Sequence, residues 1–214
     1  MQRCNVVFAA MVLRGIVGAF LFSAHLLVAQ RVEVGVEGGI RTTDDFFSTG
    51  AFSFASESKR YIVGPTVDIG LPKRFSVEVD ALYQRFGFTE VYSIGIGNYG
   101  TVRERTNSWE FPLILKYRLP VKRLHPFVGI GYAPRIVHGT DAGSSETAGC
   151  FCYTSGHGTT NYPVMQGMVV SAGVSLRAGH FRFTPEIRYT IWTNLNAYQW
   201  VPDETSVLLG IRWR

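Results

Sequence analysis

The sequence has no hydrophobic run of the length a helical span needs, except near its N-terminus, and only three cysteines. Its apolar share of 46% suits a soluble globular chain better than a helical membrane protein. After residue 30, apolar side chains almost never show the three-to-four-residue spacing of an amphipathic helix. These absences disfavour a helical membrane protein. The length of 214 residues suits a single domain.

The N-terminal segment has the pattern of a secretory signal peptide. No charged residue occurs at positions 15–29, and Arg3 and Arg14 precede this stretch. A basic start, a short apolar run and a small residue near its end are typical of such a peptide, whereas a transmembrane helix needs about 20 apolar residues. We therefore expect residues 1–30 to be a signal peptide and residues 31–214 to form one exported domain. An uncleaved N-terminal anchor is the alternative.

Charge and cysteine content narrow the possible partners. Loss of the signal peptide lowers the formal net charge from +5 to +3, and the remaining cations are not clustered along the sequence, so we expect no nucleic-acid partner.

Cys150 and Cys152 remain in the exported chain. Unpaired thiols or a strained disulfide are both open, because one intervening residue makes a bridge unfavourable. A lone C-x-C lacks further metal ligands, and we expect neither a metal nor a cofactor.

The rest of the chain repeats a period of two. At positions 181–191, for example, apolar residues alternate with Arg182, Thr184, Glu186, Arg188 and Thr190. This alternation is typical of a strand with one apolar face. The sequence predicts an all-β fold of eight strands, at 32–40, 60–71, 75–88, 108–119, 126–137, 164–178, 181–191 and 206–213.

The lengths of the runs and of their connections favour a membrane barrel over a soluble sandwich. Most runs have 9 to 15 residues, and about 9–11 residues of tilted strand cross a bilayer. Long and short connections alternate, as they do between the outer loops and periplasmic turns of outer-membrane barrels. We expect an eight-stranded antiparallel up-and-down transmembrane β-barrel in the bacterial outer membrane, with both termini periplasmic. The predicted outer loops are 41–59, 89–107, 138–163 and 192–205.

The polar face of the runs carries seven acids and eight bases. Because an eight-stranded barrel is only wide enough to be filled by side chains, these charges would have to pair with one another. Glycines on that face, Gly35 and Gly129 among them, would make room for long side chains. We predict an interior ion-pair network of Glu33, Glu37, Asp68, Glu78, Asp80, Glu110, Lys116, Arg118, Arg135, Arg177, Glu186, Arg188 and Arg212.

Aromatic residues mark both ends of the predicted strands. Two such bands are the girdles expected at the interfaces of a membrane barrel. Arg85 falls on the lipid-facing positions, and Phe86 and Phe88 fall on the inner ones, so we expect the strand to leave the membrane or to bulge there. The predicted girdle comprises Tyr61, Phe75, Tyr83, Trp109, Tyr117, Phe181, Tyr189 and Trp213.

Three segments together carry a family resemblance. They read Trp-Glu-Phe-Pro-Leu-Ile-Leu-Lys-Tyr-Arg at 109–118, His-Pro-Phe-Val-Gly-Ile-Gly-Tyr at 125–132 and Pro-Glu-Ile-Arg-Tyr-Thr at 185–190. In order and spacing they resemble the outer-membrane β-barrel domain related to the OmpA transmembrane region, and the resemblance covers residues 31–214. It implies insertion by the barrel assembly machinery, which commonly reads a terminal aromatic residue. Here Trp213 is penultimate.

Several functions remain open at this stage. A small lipid A-modifying barrel enzyme is one alternative, but the His-x-Ser pattern of the deacylases is absent from residues 31–214, and we predict no catalytic residues. A wide pore needs about 16–18 strands, which leaves a narrow gated pore as another alternative. We expect a non-enzymatic monomer in contact with outer-membrane lipid and lipopolysaccharide, serving envelope structure or surface interaction through its loops.

Overall fold

The computed structural model describes residues 31–44, 53–95, 98–121, 124–147, 152–161, 163–193 and 201–213. The predicted signal peptide and Cys150 lie outside these residues, as does the side chain of Cys152. In the part of the chain that is described, no helix is long and apolar enough to span a bilayer.

The described chain consists of β-strands and one short 3-10 turn at Pro72–Arg74. The strands are β1 (Arg31–Arg41), β2 (Ser53–Ser56), β3 (Lys59–Gly70), β4 (Phe75–Asp80), β5 (Leu82–Gly95), β6 (Asn98–Glu110), β7 (Leu113–Arg118), β8 (His125–Thr147), β9 (Cys152–Asn161), β10 (Met165–Ala178), β11 (Phe181–Thr193) and β12 (Asp203–Trp213).

All twelve strands belong to one antiparallel sheet. Its order is β10-β11-β12-β1-β3-β4-β7-β8-β6-β5-β2, and β9 pairs with β8. Two further pairings join β8 to β10 and β3 to β5. We call the edge with the connections 71–74, 119–124 and 179–180 the turn end of the sheet, and the opposite edge its loop end.

The structure has more strands than the eight that the sequence predicts. The predicted strand at 75–88 is divided at Ala81 into β4 and β5, and the one at 108–119 is divided at Phe111 and Pro112 into β6 and β7. Proline has no backbone N–H and cannot donate to the ladder. Instead, the N–H of Asp80 donates to the Pro112 carbonyl at 3.1 Å, so the two interruptions lie side by side.

Much of three predicted loops is strand. Positions 89–107 are almost wholly taken up by β5 and β6, and positions 138–163 by β8 and β9. Within 41–59, β2 pairs with β5. No regular apolar alternation marks these segments, but backbone pairing does not require it.

The two faces of the sheet are inverted relative to a soluble protein. Ile187 is 58% exposed, whereas its neighbour Arg188 is 1% exposed. The same contrast recurs along the long strands, with exposed valine, isoleucine and leucine opposite buried charges. We call the buried face the inner face. Apolar exposure on the other face is the arrangement that a lipid environment stabilises.

The alternation in β5 continues past the place where we expected the strand to leave the membrane. Phe86 and Phe88 lie on the inner face and are buried. Pairing of β5 with β6 is regular up to Ser93. A register shift does occur here, but between Lys59 and Ile62 of β3, opposite β5. The two phenylalanines pack in an apolar cluster with Ala133, Val137, Met165 and Trp192.

Candidate functional site on the inner face

Arg188 lies at the centre of a buried group of carboxylates. Its Nη2 is 3.1 Å from Asp80 Oδ2 and 3.2 Å from Glu78 Oε1. The same nitrogen is 3.1 Å from Glu186 Oε1 and 3.4 Å from Glu37 Oε1. All five side chains are almost fully buried. One guanidinium therefore joins carboxylates from β1, β4 and β11.

Lys116 and Arg212 complete this central cluster. Lys116 Nζ lies 2.6 Å from Glu78 Oε1 and also contacts Glu186. Arg212 contacts the other oxygen of Glu78. Each of these cations enters from a different strand, β7 or β12, so the cluster ties the sheet together across its inner side.

Three carboxylates of the cluster have the spacing of metal ligands. Oxygens of Glu37, Glu78 and Glu186 lie within 4.8 Å of one another. The Lys116 ammonium and the Arg188 guanidinium already contact these oxygens. The arrangement is therefore best described as an ion-pair cluster built from the cations of the chain itself.

Asp68 links the central cluster to the turn end. Its Oδ2 is 3.7 Å from Arg212 Nη1 and accepts a hydrogen bond from Ser76 Oγ at 3.2 Å. Its Oδ1 lies 2.8 Å from Arg118 Nη2. Arg118 is only partly buried, so the polar column reaches solvent at this end.

At the turn end, three arginines stand side by side on adjacent strands. Arg177 of β10 is in register with Arg182 of β11, which is in register with Arg212 of β12. Arg182 Nη1 is 2.6 Å from Glu33 Oε2. Arg177 is exposed, against the prediction of an interior position, and within the described ranges it is the member of the predicted network that makes no ion pair.

A second cluster lies nearer the loop end. Arg135 Nη2 is 2.8 Å from Glu110 Oε2 and 2.5 Å from Glu204 Oε2. The Gln84 amide donates to both carboxylates at 3.2 and 3.3 Å, and accepts from Arg41 Nη1 at 3.2 Å. The predicted network contained only Glu110 and Arg135. Arg41 and Glu204 fall just outside the predicted runs, and one further step of the alternation would have included them.

Aromatic rings cover this second cluster on its loop-end side. Arg41 Cζ is 4.6 Å from the ring centre of Phe86, and Arg135 Cζ is 5.3 Å from it. Arg135 Cζ also lies 3.7 Å from the ring centre of Trp192. Cation–π attraction favours these contacts. An apolar cluster thus follows the charged clusters on the inner face.

Glycines on the inner face allow strands and side chains to approach closely. A Cβ at Gly35 would lie 2.1 Å from the Ile211 carbonyl oxygen and 2.9 Å from Arg212 Cγ. A Cβ at Gly129 would lie 3.2 Å from Lys116 Cγ. Larger residues at these positions would push apart the backbone and side chains that pack against them.

Four predicted girdle residues lie toward the loop end. The ring centres of Tyr61 and Tyr83 are 6.4 Å apart, and those of Tyr83 and Trp109 are 5.4 Å apart. Tyr83 also donates a hydrogen bond to Asn107 at 2.7 Å. Tyr189, exposed on β11, lies further around the sheet.

The other four predicted girdle residues lie at the turn end. Phe75 and Tyr117 are cross-strand partners with ring centres 5.0 Å apart. Phe181 and Trp213 are also cross-strand partners, and both are exposed. The exposed apolar surface is thus bordered by aromatic residues toward both ends.

Beyond the loop-end aromatic residues, several strands continue as a paired, polar sheet. Arg103 Nη2 lies 2.7 Å from Glu57 Oε2, and Arg105 Nε lies 3.7 Å from the same oxygen. Thr89 donates to the other oxygen of Glu57 at 2.7 Å. The hydrogen bond from Arg103 is the largest effect that lowers the pKa of Glu57. An open groove of about 600 Å³ is lined by Arg103, Arg105, Thr140, Ala142, His157, Gly158 and Thr159.

Three solved structures resemble this chain at low sequence identity. Neisserial surface protein A has 12% identity and a TM-score of 0.45, covering 86% of this chain and 98% of its own. The N-terminal β-barrel domain of Pseudomonas aeruginosa OprF has 12% identity and a TM-score of 0.41, covering 85% and 96%. The translocator domain of the autotransporter NalP from Neisseria meningitidis has 10% identity and a TM-score of 0.41, covering 94% and 97%.

The family of the chain follows from its sequence. No curated protein matches it. The outer membrane protein beta-barrel domain family matches residues 24–196, which include most of the inner-face clusters. The chain belongs to this family of outer-membrane β-barrel domains.

Proposed function

We propose that this protein is a non-enzymatic, eight-stranded barrel of the bacterial outer membrane with a filled interior. The pairings support a closed ring. From β8 they pass through β10, β11, β12, β1, β3, β4 and β7 and return to β8. Eight strands therefore lie around the ring, because β4 and β5 are the two parts of one divided strand and β6 and β7 are the two parts of another.

The observation that carries the proposal is the cluster around Arg188. Its guanidinium lies within 3.4 Å of four buried carboxylates. In a barrel of eight strands, side chains of this size fill the interior. Free diffusion of solutes would require this cluster to separate, which leaves buried charges unpaired at a high cost in free energy.

The role of such a barrel would be in envelope structure or surface interaction. The groove beside Arg103, Arg105 and His157 lies on the sheet that extends past the loop-end aromatic residues. In outer-membrane barrels the longer connections face outward. We infer that this extension is extracellular, that both termini are periplasmic, and that the protein is a monomer.

The remaining parts of the proposal concern its biogenesis and lipid contacts. We propose that residues 1–30 are a cleaved signal peptide and that the barrel assembly machinery inserts the chain. Outer-membrane lipid and lipopolysaccharide would contact the exposed apolar surface, which includes Val36, Ile130 and Ile187.

Orientation can be tested by inserting an epitope between Gly95 of β5 and Asn98 of β6, where a short connection joins the two strands. An antibody should label intact cells. The control carries the same epitope at Gly179, in the turn between β10 and β11, and should be labelled only after permeabilisation. The reverse pattern would contradict the proposed orientation.

Mass spectrometry of lipid A tests the absence of enzymatic function. Cells with and without the gene should have the same lipid A acyl chains. His138 and His157 lie exposed toward the loop end, with hydroxyl groups of Thr140 and Thr159 nearby in sequence. A changed acyl pattern that is lost in His138→Gln or His157→Gln would establish an enzyme instead.

A further inference from the structure

The turn end holds an open cavity whose charged lining is entirely basic among the described residues. Its volume is about 650 Å³. The basic residues that line it are Arg31, Arg74, Arg118, His125, Arg177 and Arg182. A second opening of about 330 Å³ shares Arg177 and Arg182, and there Glu33 is the acid in the lining. The mouth of the sheet at this end is therefore strongly cationic.

The register of the strands concentrates this charge. Arg177 and Arg182 are direct cross-strand partners, and like charges in that relation destabilise a sheet. Glu33 neutralises Arg182, and Asp68 neutralises Arg118. No carboxylate of the described chain forms an ion pair with Arg177. The arrangement therefore has a cation in excess of what its own carboxylates neutralise.

The rest of the lining has hydrogen-bonding and apolar parts. Ser175, a nearly buried residue on β10, lines the same cavity. Exposed Leu119 and Val121 also line it. The cavity also lies at the level of the turn-end aromatic residues, because Arg182 follows Phe181 directly and Arg118 follows Tyr117. A ligand here would lie where lipid headgroups meet water.

We propose that this cavity is an anion site that binds a phosphate group, with Arg177, Arg182 and Arg118 as its ligands. A phosphate group offers several strong acceptor oxygens, and the guanidinium fork matches phosphate geometry in a bidentate way. Bound phosphate neutralises the repulsion between Arg177 and Arg182. The group comes either from the headgroup of an anionic lipid or from a soluble phosphate compound.

The first experiment measures binding of sodium pyrophosphate to the refolded full chain in an uncharged maltoside detergent at low salt. Wild type should bind, and Arg177→Gln should weaken the affinity about tenfold or more, since a charge-assisted hydrogen bond contributes at least that much. Arg85→Gln is the matched control, because Arg85 is an exposed arginine near the loop end. It should bind as wild type does.

Two results of this experiment would overturn the proposal. One is no measurable pyrophosphate binding by wild type. The other is equal affinity for wild type, Arg177→Gln and Arg85→Gln. Heat-modifiable migration on gels confirms that each variant is folded. Arg177→Lys, which keeps the charge but loses the fork, should have an intermediate affinity and serves if Arg177→Gln does not refold.

The second experiment identifies the source of the phosphate. Pyrophosphate binding is measured in nanodiscs of phosphatidylglycerol and of phosphatidylcholine. If the lipid headgroup is the ligand, phosphatidylglycerol should weaken pyrophosphate binding by wild type at least severalfold. If soluble phosphate is the ligand, both lipids should give equal affinity. If phosphatidylglycerol weakened pyrophosphate binding by the same factor in wild type and Arg177→Gln, the lipid would act elsewhere and the site would be overturned.

Discussion

The membrane-spanning part of the sheet and its loop-end extension use the same kind of ion pair in different surroundings. By the loop-end extension we mean residues 53–56, 87–95, 98–107, 138–147 and 152–161. In the spanning part, Arg188 meets four carboxylates and is almost fully buried. In the extension, Arg103 meets Glu57, the residue that follows β2, at a similar distance, but the Arg103 side chain is 47% exposed. The distances between the charged groups are similar, but the first pairs are shielded from water and the second is not.

This difference decides what each pair contributes to stability. A buried charge that loses its partner is strongly destabilising, whereas an exposed pair is screened by water and contributes little. The outer surfaces differ in the same way, since apolar side chains face outward in the spanning part and polar ones do so in the extension. Matched substitutions in the two regions therefore test the account.

The largest expected effect is that of Arg188→Leu. It leaves Glu37, Glu78, Asp80 and Glu186 without their central cation, which should lower the free energy of unfolding by about 3–5 kcal/mol. Arg103→Leu in the extension is the control and should cost under about 1 kcal/mol. Urea unfolding of protein refolded in lipid vesicles measures both. Equal losses would contradict the contrast between the regions.

The next effect concerns the outer surface. Ile187→Arg places a charge on the exposed apolar face and should cost about 2–4 kcal/mol if that face lies near the centre of the bilayer. Thr159→Arg, at an exposed position of β9, should change stability by less than about 0.5 kcal/mol. The same unfolding measurement applies. A neutral Ile187→Arg would show that this face is not in lipid.

A smaller effect is expected from adding one methyl group to a glycine. Gly35→Ala brings a Cβ against the backbone of β12 and should cost about 1–3 kcal/mol through overpacking. Gly143 has open space where a Cβ would lie, so Gly143→Ala should change stability by less than about 0.5 kcal/mol. If both alanine variants were neutral, close packing around Gly35 would not be needed for folding.

The smallest effect is the pH dependence of Glu57. Because the pKa of Glu57 is lowered in the folded state, its contribution is fully present above the ordinary pKa of a glutamate and is lost as pH falls through the lowered value. The unfolding free energies of wild type and Glu57→Gln should differ slightly at neutral pH and converge in acid. A difference that grows in acid would contradict the assigned hydrogen bonds.

The fold could be predicted from sequence wherever one side of a strand faces an apolar medium. There the period of two revealed the strand, as at 181–191. Outside that medium, apolar and polar residues no longer alternate, although the backbones of the strands stay paired. The sequence therefore predicts a loop at 89–107, where the structure has strands. The interruption at Pro112 was also missed, because the apolar pattern continues across it.

The members of the inner-face clusters were partly predictable. Their positions follow from the alternation, but the partner of each charge depends on the register between strands distant in sequence. Glu110 and Glu204, which share Arg135, are an example. Phe86 was interpreted as a departure from the pattern, since a sequence alone does not reveal that two arginine side chains pack over its ring.

The most direct test of the filled interior is electrical conductance in planar bilayers. Refolded wild-type protein, with insertion verified by heat-modifiable gel migration, should add no steady ohmic current, because in the proposed barrel the clusters around Arg188 and Arg135 fill the interior. Stable conductance steps of a water-filled channel, reproduced across preparations, would contradict the account and establish a pore.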